Sequence, residues 1–557
     1  MAKTEVVLPA DTNQALGIGR FAVDFMSDEP GKLGEPDEAV VERTNMFHTD
    51  AVLCGVSALA LGTNAPTILR REAMQYRVPP EGFGTAGGVL GSGRHRAVRG
   101  GVPVFGSRVD VFIEKAIGAN TAAVREWDSN GTNFGFDAAR GLEHQKGEFG
   151  HNDFYGVATA AAQLMGRDGK FALRGMVLLD EIRGRLAEVF SLKTYKVDHV
   201  VHGAVASAAV FGAMTGATAE EIESAIGMVV AHAIPFRAIR HGHQLSDSKG
   251  ASAAVSTEFA VLCMKRAMAG FIGPRDIFRN PEAIFCLFEG KALEKKDAAR
   301  AAEVKRGKRS PFDLVLSRAG RDFTVMGMHF KLGLYEHQSA GALQGLIDLV
   351  TRSPAILEDQ SGDAIASIVV KAYEPAFGII GDPHKRDPHT RQSADHSMLY
   401  LVCTMLRRAL ELHQLNAERK LRHPLGWKEL MLLPHDFDKA AIVHPVTRAL
   451  MEKMSFEHGG PDYDAKYPDG IPTSMVITDD EGGAHDSGLV MYPAGHARNT
   501  TADLKGILAH KWEKLGELAS DDPKGLIRRL SRLEIKSARE LADLYGFGIK
   551  FRSEAFE

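Results

Sequence analysis

An uncharged stretch over residues 200–219 constrains the fold more than any other part of the chain. Alanine, glycine, serine and threonine dominate it, so it is long enough to cross a bilayer but too weakly hydrophobic to favour doing so. Apolar residues recur at helical spacing over residues 200–214. We therefore predict a helix buried inside a large helical core, where small side chains let neighbouring helices pack closely.

Helical patterns also cover most of the chain around this stretch. Thr218 followed by Glu221 forms a capping box that opens a helix. Gly270, with Pro274 beyond it, marks the end of the last helix in this half. The predicted helices cover residues 38–61, 154–164, 171–190, 219–231 and 251–269. The exception is residues 76–106, which are rich in Gly and Arg and predict a loop.

Strand patterns appear after Pro274. Residues 365–373 are rich in Ile and Val, which favour strands. Residues 474–478 and 488–492 flank an acidic turn at 479–483, and this pattern predicts a hairpin. Further helical patterns cover residues 291–309, 338–350, 393–412 and 502–544.

This change of pattern divides a chain of 557 residues, which at about 100–200 residues per domain has room for several domains. We predict a mostly α fold in which both chain ends, residues 1–271 and 496–557, form one large all-helical domain. Residues 272–495 are predicted to form a smaller inserted α+β domain, which we call the lid.

Charge and cysteine content exclude several classes of protein. The net charge of −4 gives no basic surface for nucleic acid or an anionic membrane. Four widely separated cysteines argue against a disulfide scaffold, a thiolate zinc site and an iron–sulfur cluster. The N-terminus lacks the basic and apolar segments of a secretory signal. We expect a soluble cytoplasmic protein in a reducing compartment, with no nucleic-acid or membrane partner.

Polar residues gather between Asp128 and Thr132, and His151 follows some way along the chain. Asn, Gly and Thr in a row continue a helix poorly, so a polar turn is predicted here. Two interpretations stay open for this segment. It is either an active-site loop that presents Asp128, Thr132 and His151 to a polar substrate, or an Asx turn in which Thr132 caps the next helix.

His199 stands at the start of the helix predicted at 200–214, and His202 follows one turn later. A histidine near a helix N-terminus is disfavoured as a cation, so it tends to stay neutral and can act as a base. A lone histidine in this position is also common as a structural residue, and spacing does not separate the two interpretations.

The most informative cluster of charged side chains runs from Arg237 to Lys249. Arg240, His241 and other cations precede a helix N-terminus, whose free N–H groups also attract anions. Such a cluster suits a small polycarboxylate, and Lys249 among other cations is expected to have a lowered pKa and to act as a general acid or base. The alternative is a solvated basic loop in which Lys249 pairs with Asp247.

Weaker candidates lie in the second half of the chain. His337 stands at a helix start, and His396 and Tyr400 are spaced to share one face of a helix. Each of them alone is more often structural than catalytic. No metal site is predicted, because His241-Gly-His243 lacks a nearby carboxylate or Cys in zinc spacing and the chain has no HExxH motif.

Taken in order, these segments resemble the MmgE/PrpD family, also called the 2-methylcitrate dehydratase family. The similar segments are His48-Thr49-Asp50 with Cys54-Gly55, Asp128 to Thr132, Gly150-His151, Val197 to Val200, Arg240 through the helix after Lys249, Phe330-Lys331 with His337, Asp395 to Tyr400, and Tyr492 to Arg498. This ordered series runs along most of the chain.

The resemblance implies a homodimeric enzyme that acts on a small polycarboxylate without a metal or organic cofactor. It implies an active site between the helical domain and the lid, in which His151 and Lys249 form an acid/base pair and Asp128 orients His151. It also implies a second group of side chains that bind the substrate, which are Thr132, His199, Arg240, His241, His337 and Tyr400.

The reaction that the resemblance implies first is the dehydration of 2-methylcitrate to 2-methylaconitate. Decarboxylation, epimerisation or isomerisation of a related di- or tricarboxylate is the alternative, since all of these reactions begin from a carbanion-like centre beside carboxylates. Gly131 stands where the family's loop has a second acid. This departure is the best support for a third hypothesis, a helical dimer that binds a carboxylate without turnover.

Overall fold

A computed structural model describes residues 4–79, 97–136, 150–241, 244–294, 296–381, 383–420, 424–553 and 556. Most of the loop predicted at residues 76–106 lies outside these ranges, as does His243. Within the described ranges the chain is mostly α-helical and its sheets are small, so the predicted mostly α fold with a smaller α+β part is confirmed. The boundaries of the two predicted domains stay a prediction.

Helices fill the first half of the chain and recur throughout the second. The helices of the first half are α1 Gln14–Met26, α2 Glu38–Ala60, α3 Asn64–Ala73, α4 Ile113–Arg125, α5 Tyr155–Leu164, α6 Gly169–Val189, α7 Val200–Thr215, α8 Ala219–His232 and α9 Asp247–Met268. The others are α10 Ile284–Leu293, α11 Ala298–Lys305, α12 Ala340–Arg352, α13 Arg391–Ala394, α14 Met398–Arg419, α15 Trp427–Leu430, α16 Lys439–Ile442, α17 Pro445–Glu452, α18 Pro461–Asp464, α19 Leu504–Ala519, α20 Pro523–Leu530 and α21 Ala538–Ala542.

The strands form one four-stranded sheet and several two-stranded ribbons among the described residues. The strands are β1 Glu5–Leu8, β2 Glu35–Pro36, β3 Val102–Pro103, β4 Asp110–Val111, β5 Thr132–Asn133, β6 Gly150–His151, β7 Leu314–Ser317, β8 Ala319–Gly320, β9 Ile365–Ala372, β10 Met454–His458, β11 Thr473–Asp479 and β12 Ala484–Asp486.

The four-stranded sheet has the order β10-β9-β11-β12. β9 pairs in parallel with β10 and antiparallel with β11, so Ile368 lies opposite both Met454 and Ile477. The ribbons β1–β7 and β2–β8 pair the N-terminal segment with residues 314–320. These pairings fix the first strands of the chain against a segment from its second half.

The core of the helical part is built around α7, as predicted from its uncharged sequence. Ala213 is the one residue of this helix that is not fully buried, and α5, α6, α8 and α9 all pack against it. Gly203 is required by this packing, because a Cβ there would lie 2.0 Å from Cζ of Phe154. The four cysteines are free and buried.

Most predicted helices of the first half are confirmed. α2, α5, α6, α7 and α8 match their predicted limits to within two residues, and the capping box of Thr218 and Glu221 is present. The helix predicted at 251–269 begins earlier, at Asp247. Ser246 has the extended backbone of an N-cap residue, so Lys249 lies in the first turn of α9 rather than in a loop before it.

Three predictions for the second half need correction. His396 and Tyr400 do not share a helix face, because α13 ends at Ala394 and α14 begins after its N-cap, Ser397. The second strand of the hairpin is β12, since Gly488 takes a left-handed φ of 71° and Val490 makes only an isolated bridge to Thr473. The helical pattern at 502–544 is divided among α19, α20 and α21.

Among the described residues, no single helix has both the length and the apolar content to cross a bilayer. α2 and α3 together reach that length and apolar content, but they meet at a bend of 91°.

The capping box gives a test of local stability. Replacing Thr218 with Ala removes the acceptor for the Glu221 N–H and should lower the free energy of unfolding by about 1 kcal/mol. Thr218→Ser keeps the acceptor and should stay within a few tenths of a kcal/mol of the parent. Urea unfolding followed by circular dichroism measures both variants, and equal losses would contradict a capping role.

Candidate active site

Asp128 is the centre of the candidate site. It follows α4 in a turn with a left-handed φ of 49°, and its side chain is 1% exposed. Its Oδ1 accepts hydrogen bonds from Nζ of Lys331 at 2.5 Å and from the guanidinium of Arg125. Its Oδ2 lies 3.8 Å from Nζ of Lys249. One buried carboxylate therefore faces cations from three separate segments of the chain.

The charge state of Asp128 follows from these neighbours. Burial alone raises the pKa of a carboxyl group, because it removes water from the charged form. Arg125, Lys331 and the other cations outweigh this effect and hold the pKa of Asp128 well below its ordinary value. Asp128 is therefore ionised at neutral pH.

Lys249 projects from the first turn of α9 into the same site and is almost fully buried. Its Nζ donates to Oδ1 of Asp395 at 2.7 Å, and Arg391 donates to the other oxygen of Asp395 at 3.1 Å. Burial lowers the pKa of Lys249, although Asp395 and Asp128 oppose that effect. The alternative pairing with Asp247 is not found, since Asp247 is only partly buried and accepts a hydrogen bond from Asn64 instead.

His151 and His199 face each other, with ring centroids 5.0 Å apart. His151 belongs to β6, where it pairs with Thr132 of β5, so Thr132 does not cap a helix. His199 is the N-cap residue of α7. Among the described residues, Nδ1 of His151 and Nε2 of His199 have no hydrogen-bond partner. Both nitrogens are available to a ligand.

These two imidazole rings are neutral. Burial lowers the pKa of His151 well below its ordinary value, and the positive charges of Arg125 and Lys331 lower it further. Burial also lowers the pKa of His199, in spite of the neighbouring Asp198. A neutral histidine beside cations can accept a proton from a substrate.

His337 approaches from the second half of the chain. Its ring is fully buried, stacks on His329 at 5.1 Å and has no hydrogen-bond partner on either nitrogen among the described residues. Burial and the charge of Lys331 lower its pKa well below the ordinary value. Backbone hydrogen bonds of 3.0 and 2.7 Å join His329 to Thr132, so the two halves of the chain meet at this point.

The other predicted residues have different surroundings. Arg240 binds the buried carboxylate of Asp198, the neighbour of His199, and donates to Ser252 at 3.4 Å. His241 is exposed and lines an open cleft of about 840 Å³ together with Arg240. Tyr400 does not join the cluster, because its hydroxyl donates to the backbone carbonyl of Asp436.

Asp128 does not orient His151 by a direct contact. Among the described residues, its Oδ2 lies 3.1 Å from Nε2 of His396, whose Nδ1 lies 2.6 Å from Asp395. The left-handed turn at Asp128 directs the carboxylate toward the second half of the chain. The role predicted for Asp128 is therefore corrected: it holds cations, and its effect on His151 is electrostatic.

Several residues of the site were not assigned to it from the sequence. Lys331 and Asp395 enter the sequence analysis as parts of similar segments, His396 enters it only as a weaker candidate on a helix face with Tyr400, and Arg391 is not singled out there. Tyr373 follows β9 with a buried hydroxyl that has no partner among the described residues, and its link to the site is electrostatic: burial raises the pKa of Tyr373, and the nearby Tyr467 and Glu336 raise it further. A single Lys, Asp or Tyr carries no spacing signal, so only its contact with Asp128 or another site residue could have found it.

Glu336 adds a titratable carboxyl next to His337. Its Oε2 accepts from the backbone N–H of Gln338 at 2.8 Å. Burial, together with the negative charge of Asp128, raises the pKa of Glu336 to about 7. The site therefore contains an acid that exchanges protons near neutral pH.

Gly131 has a steric explanation. A Cβ at this position would lie 2.3 Å from Cε1 of Phe47, whose ring stacks on Phe330 at 3.8 Å. No side chain fits there without moving this aromatic pair. The site is therefore built without a carboxylate at residue 131.

Three ligand atoms from Asp128, Asp395 and His396 lie within 4.8 Å of one another, which is close enough to hold a metal ion. The sequence gives no signal for this group, because its two aspartates are far apart along the chain. Lys249 already contacts both carboxylates. A metal ion at this point would have to compete with that ammonium group.

Two protein-family models match most of the chain. The model of the MmgE/PrpD N-terminal domain matches residues 32–295, and the model of the MmgE/PrpD C-terminal domain matches residues 337–524. The chain belongs to the MmgE/PrpD family. The family expected from the sequence is thereby confirmed. Asp128 lies in the region matched by the N-terminal model, and His337 lies in the region matched by the C-terminal model.

Curated relatives are about a quarter identical to this chain over the residues that align. It is similar to a protein named 2-methylcitrate dehydratase from Salmonella typhimurium, at 24% identity over 72% of this chain and 77% of the relative. It is similar to one of the same name from Escherichia coli O157:H7, at 24% identity over 63% and 67%. A mitochondrial 2-methylcitrate dehydratase from Yarrowia lipolytica matches at 24% identity over 65% and 61%.

The neutral histidines predict how stability depends on pH. The native pKa of His151, His199 and His337 lies below that of the unfolded chain, so the unfolded state binds more protons below about pH 6.5. Their contribution is fully present above that pH and is lost on acidification, at up to about 1.4 kcal/mol per pH unit for each histidine.

This dependence can be assigned to one side chain. His337→Gln should reduce the slope of unfolding free energy against pH between about pH 6.5 and 5, as measured by urea unfolding at constant ionic strength. The matched control is His389→Gln, because the side chain of His389 is 62% exposed; it should keep the parent slope. If His337→Gln keeps the slope of the parent protein, the pKa of His337 is not lowered in the native state.

Proposed function

We propose that this protein is a hydro-lyase that removes water from 2-methylcitrate to give 2-methylaconitate. The observation that carries the proposal is a buried cluster in which Lys249 lies beside ionised Asp128 and the neutral pair His151 and His199 lies within the electrostatic reach of Asp128 and its cations. The names of the relatives support 2-methylcitrate as the first substrate to test. The proposed chemistry uses side chains of this chain alone.

Dehydration needs a base for a proton next to a carboxylate and an acid for the departing hydroxide. His151 is the proposed base, because its ring is neutral and one nitrogen is free to receive the proton. Lys249 is the proposed acid, because Asp395 keeps an ammonium group within the site. The C–H and C–O bonds break, a C=C bond forms, and the proton from Lys249 joins the hydroxide as water.

The substrate carboxylates need donors and positive charge. We propose that His199 and His337 donate N–H groups to them, since each ring has a buried nitrogen without a partner among the described residues. Lys331 stabilises the negative charge that develops beside the carboxylate when the proton leaves. Tyr373 offers a further buried hydroxyl. These assignments place donors and positive charge around one small polyanion.

A direct assay is the rise in ultraviolet absorbance of the conjugated product when the protein meets 2-methylcitrate. Lys249→Met should lower kcat by about 100-fold or more, because it removes the general acid. Lys265→Met is the matched control on the same helix. Lys265 is partly exposed and pairs with Glu114, so its loss should leave kcat near the parent value.

Other results would assign a different activity. Release of CO₂ from a related tricarboxylate without an absorbance rise would identify a decarboxylase, and a change in optical rotation alone would identify an epimerase. Binding of 2-methylcitrate with no change in it would support a non-catalytic carboxylate-binding protein. The homodimer implied by the family resemblance stays a proposal, which light scattering on the purified protein tests.

A further inference from the structure

Lys511, on α19 near the C-terminal end, has a completely buried ammonium group. It contacts the carboxylate of Asp50 on α2, with Nζ–O distances of 2.8 and 2.9 Å. It also donates to the backbone carbonyl oxygens of Ser129 at 2.7 Å and Lys331 at 2.8 Å. A lysine ammonium has three N–H donors, so these three partners use all of them.

The two carbonyl groups belong to opposite sides of the candidate site. Ser129 directly follows Asp128, and Lys331 is the residue whose ammonium binds Asp128 at 2.5 Å. Lys511 therefore contacts the main chain beside both partners of that ion pair. The Ser129 hydroxyl adds a parallel link, because it donates to the carbonyl of Gly333 at 2.6 Å.

Asp50 fixes Lys511 in turn. Its carboxylate accepts from Nε1 of Trp512 at 2.9 Å, so two successive residues of α19 are bound to one side chain of α2. The contact with Asp50 thus fixes the position of the ammonium group independently of its two bonds to the carbonyls. Its position does not depend on contact with a substrate.

We propose that Lys511 is a positioning residue that sets the spacing between Asp128 and Lys331 and thereby the geometry of the site. The proposal rests on the function proposed above. A buried ammonium group needs acceptors for all three of its N–H donors, and here two of those acceptors are main-chain carbonyls beside both members of the ion pair between Asp128 and Lys331. We call the contacts of Lys511 with the carbonyls of Ser129 and Lys331 the clamp. Small displacements of reacting groups cost up to about 100-fold in rate, so loss of the clamp should lower kcat.

The test compares three variants by the absorbance assay on 2-methylcitrate. Lys511→Met removes all three bonds and leaves Asp50 buried without its cation, which also destabilises the fold. The double variant Asp50→Asn with Lys511→Met removes that uncompensated charge but still leaves both carbonyls without the ammonium. Arg408→Met is the matched control, because Arg408 likewise binds a buried carboxylate, Asp436, and a backbone carbonyl, that of Glu429.

We expect a 10- to 100-fold loss of kcat in Lys511→Met, about the same loss in the double variant, and a parent kcat per folded molecule in Arg408→Met. Recovery of the parent kcat in the double variant would overturn the proposal, since the pair with Asp50 would then explain the whole effect. KM should change less than kcat, because Lys511 does not face the substrate.

A second readout does not depend on activity. Hydrogen exchange measured by mass spectrometry should become faster in Lys511→Met for residues 128–133 and 329–334, where Thr132 and His329 exchange backbone hydrogen bonds. Arg408→Met should leave both segments unchanged. Faster exchange in a protein that does not convert 2-methylcitrate would support the clamp and reject the proposed function; unchanged exchange would reject the clamp.

Discussion

The buried carboxylate of Asp128 is the interaction on which the site depends. Taking an ionised carboxyl group out of water costs several kcal/mol, and only close cations repay that cost. Arg125 comes from α4, Lys249 from α9 and Lys331 from the segment before α12. Removing one partner of such a group typically costs about 3–5 kcal/mol. The two halves of the chain are therefore joined at the same point at which the site is built.

The cations of the site already face carboxylates before a ligand arrives. Lys249 faces Asp395, Arg391 faces Glu126, and Lys331 faces Asp128. A polycarboxylate adds negative charge that these pairs do not offset. The groups able to respond are Glu336, whose pKa burial raises to about 7, and the buried histidines, which are neutral because burial lowers their pKa values. A carboxylate beside such a ring stabilises its protonated form and raises its pKa again, so binding and proton uptake are linked.

Much of the fold could be predicted from local sequence. The small-residue pattern placed α7 in the core, and Thr218 with Glu221 marked the start of α8, because both depend on neighbours within one or two turns. The site was harder to predict from the sequence. Asp128, His151, His199, Lys249 and His337 stand out through local clusters and family resemblance, and the structure brings them together. The contact of Asp128 with Lys331, and that of Lys511 with Ser129, join distant segments and leave no periodic pattern. Helical spacing predicts that Tyr400 shares a face with His396. That spacing does not apply, because Ser397 caps a new helix between them.

The most direct measurement is calorimetric titration with tricarballylate, a tricarboxylate without the hydroxyl group that dehydration needs, in buffers of different ionisation enthalpy at pH 7.5. The account predicts one tricarballylate bound per chain, with an observed enthalpy that depends on the buffer because Glu336 and the buried histidines take up protons on binding. Binding with the same enthalpy in every buffer would contradict the account, since none of these groups would then gain a proton. Failure of tricarballylate to bind would contradict a polycarboxylate site altogether.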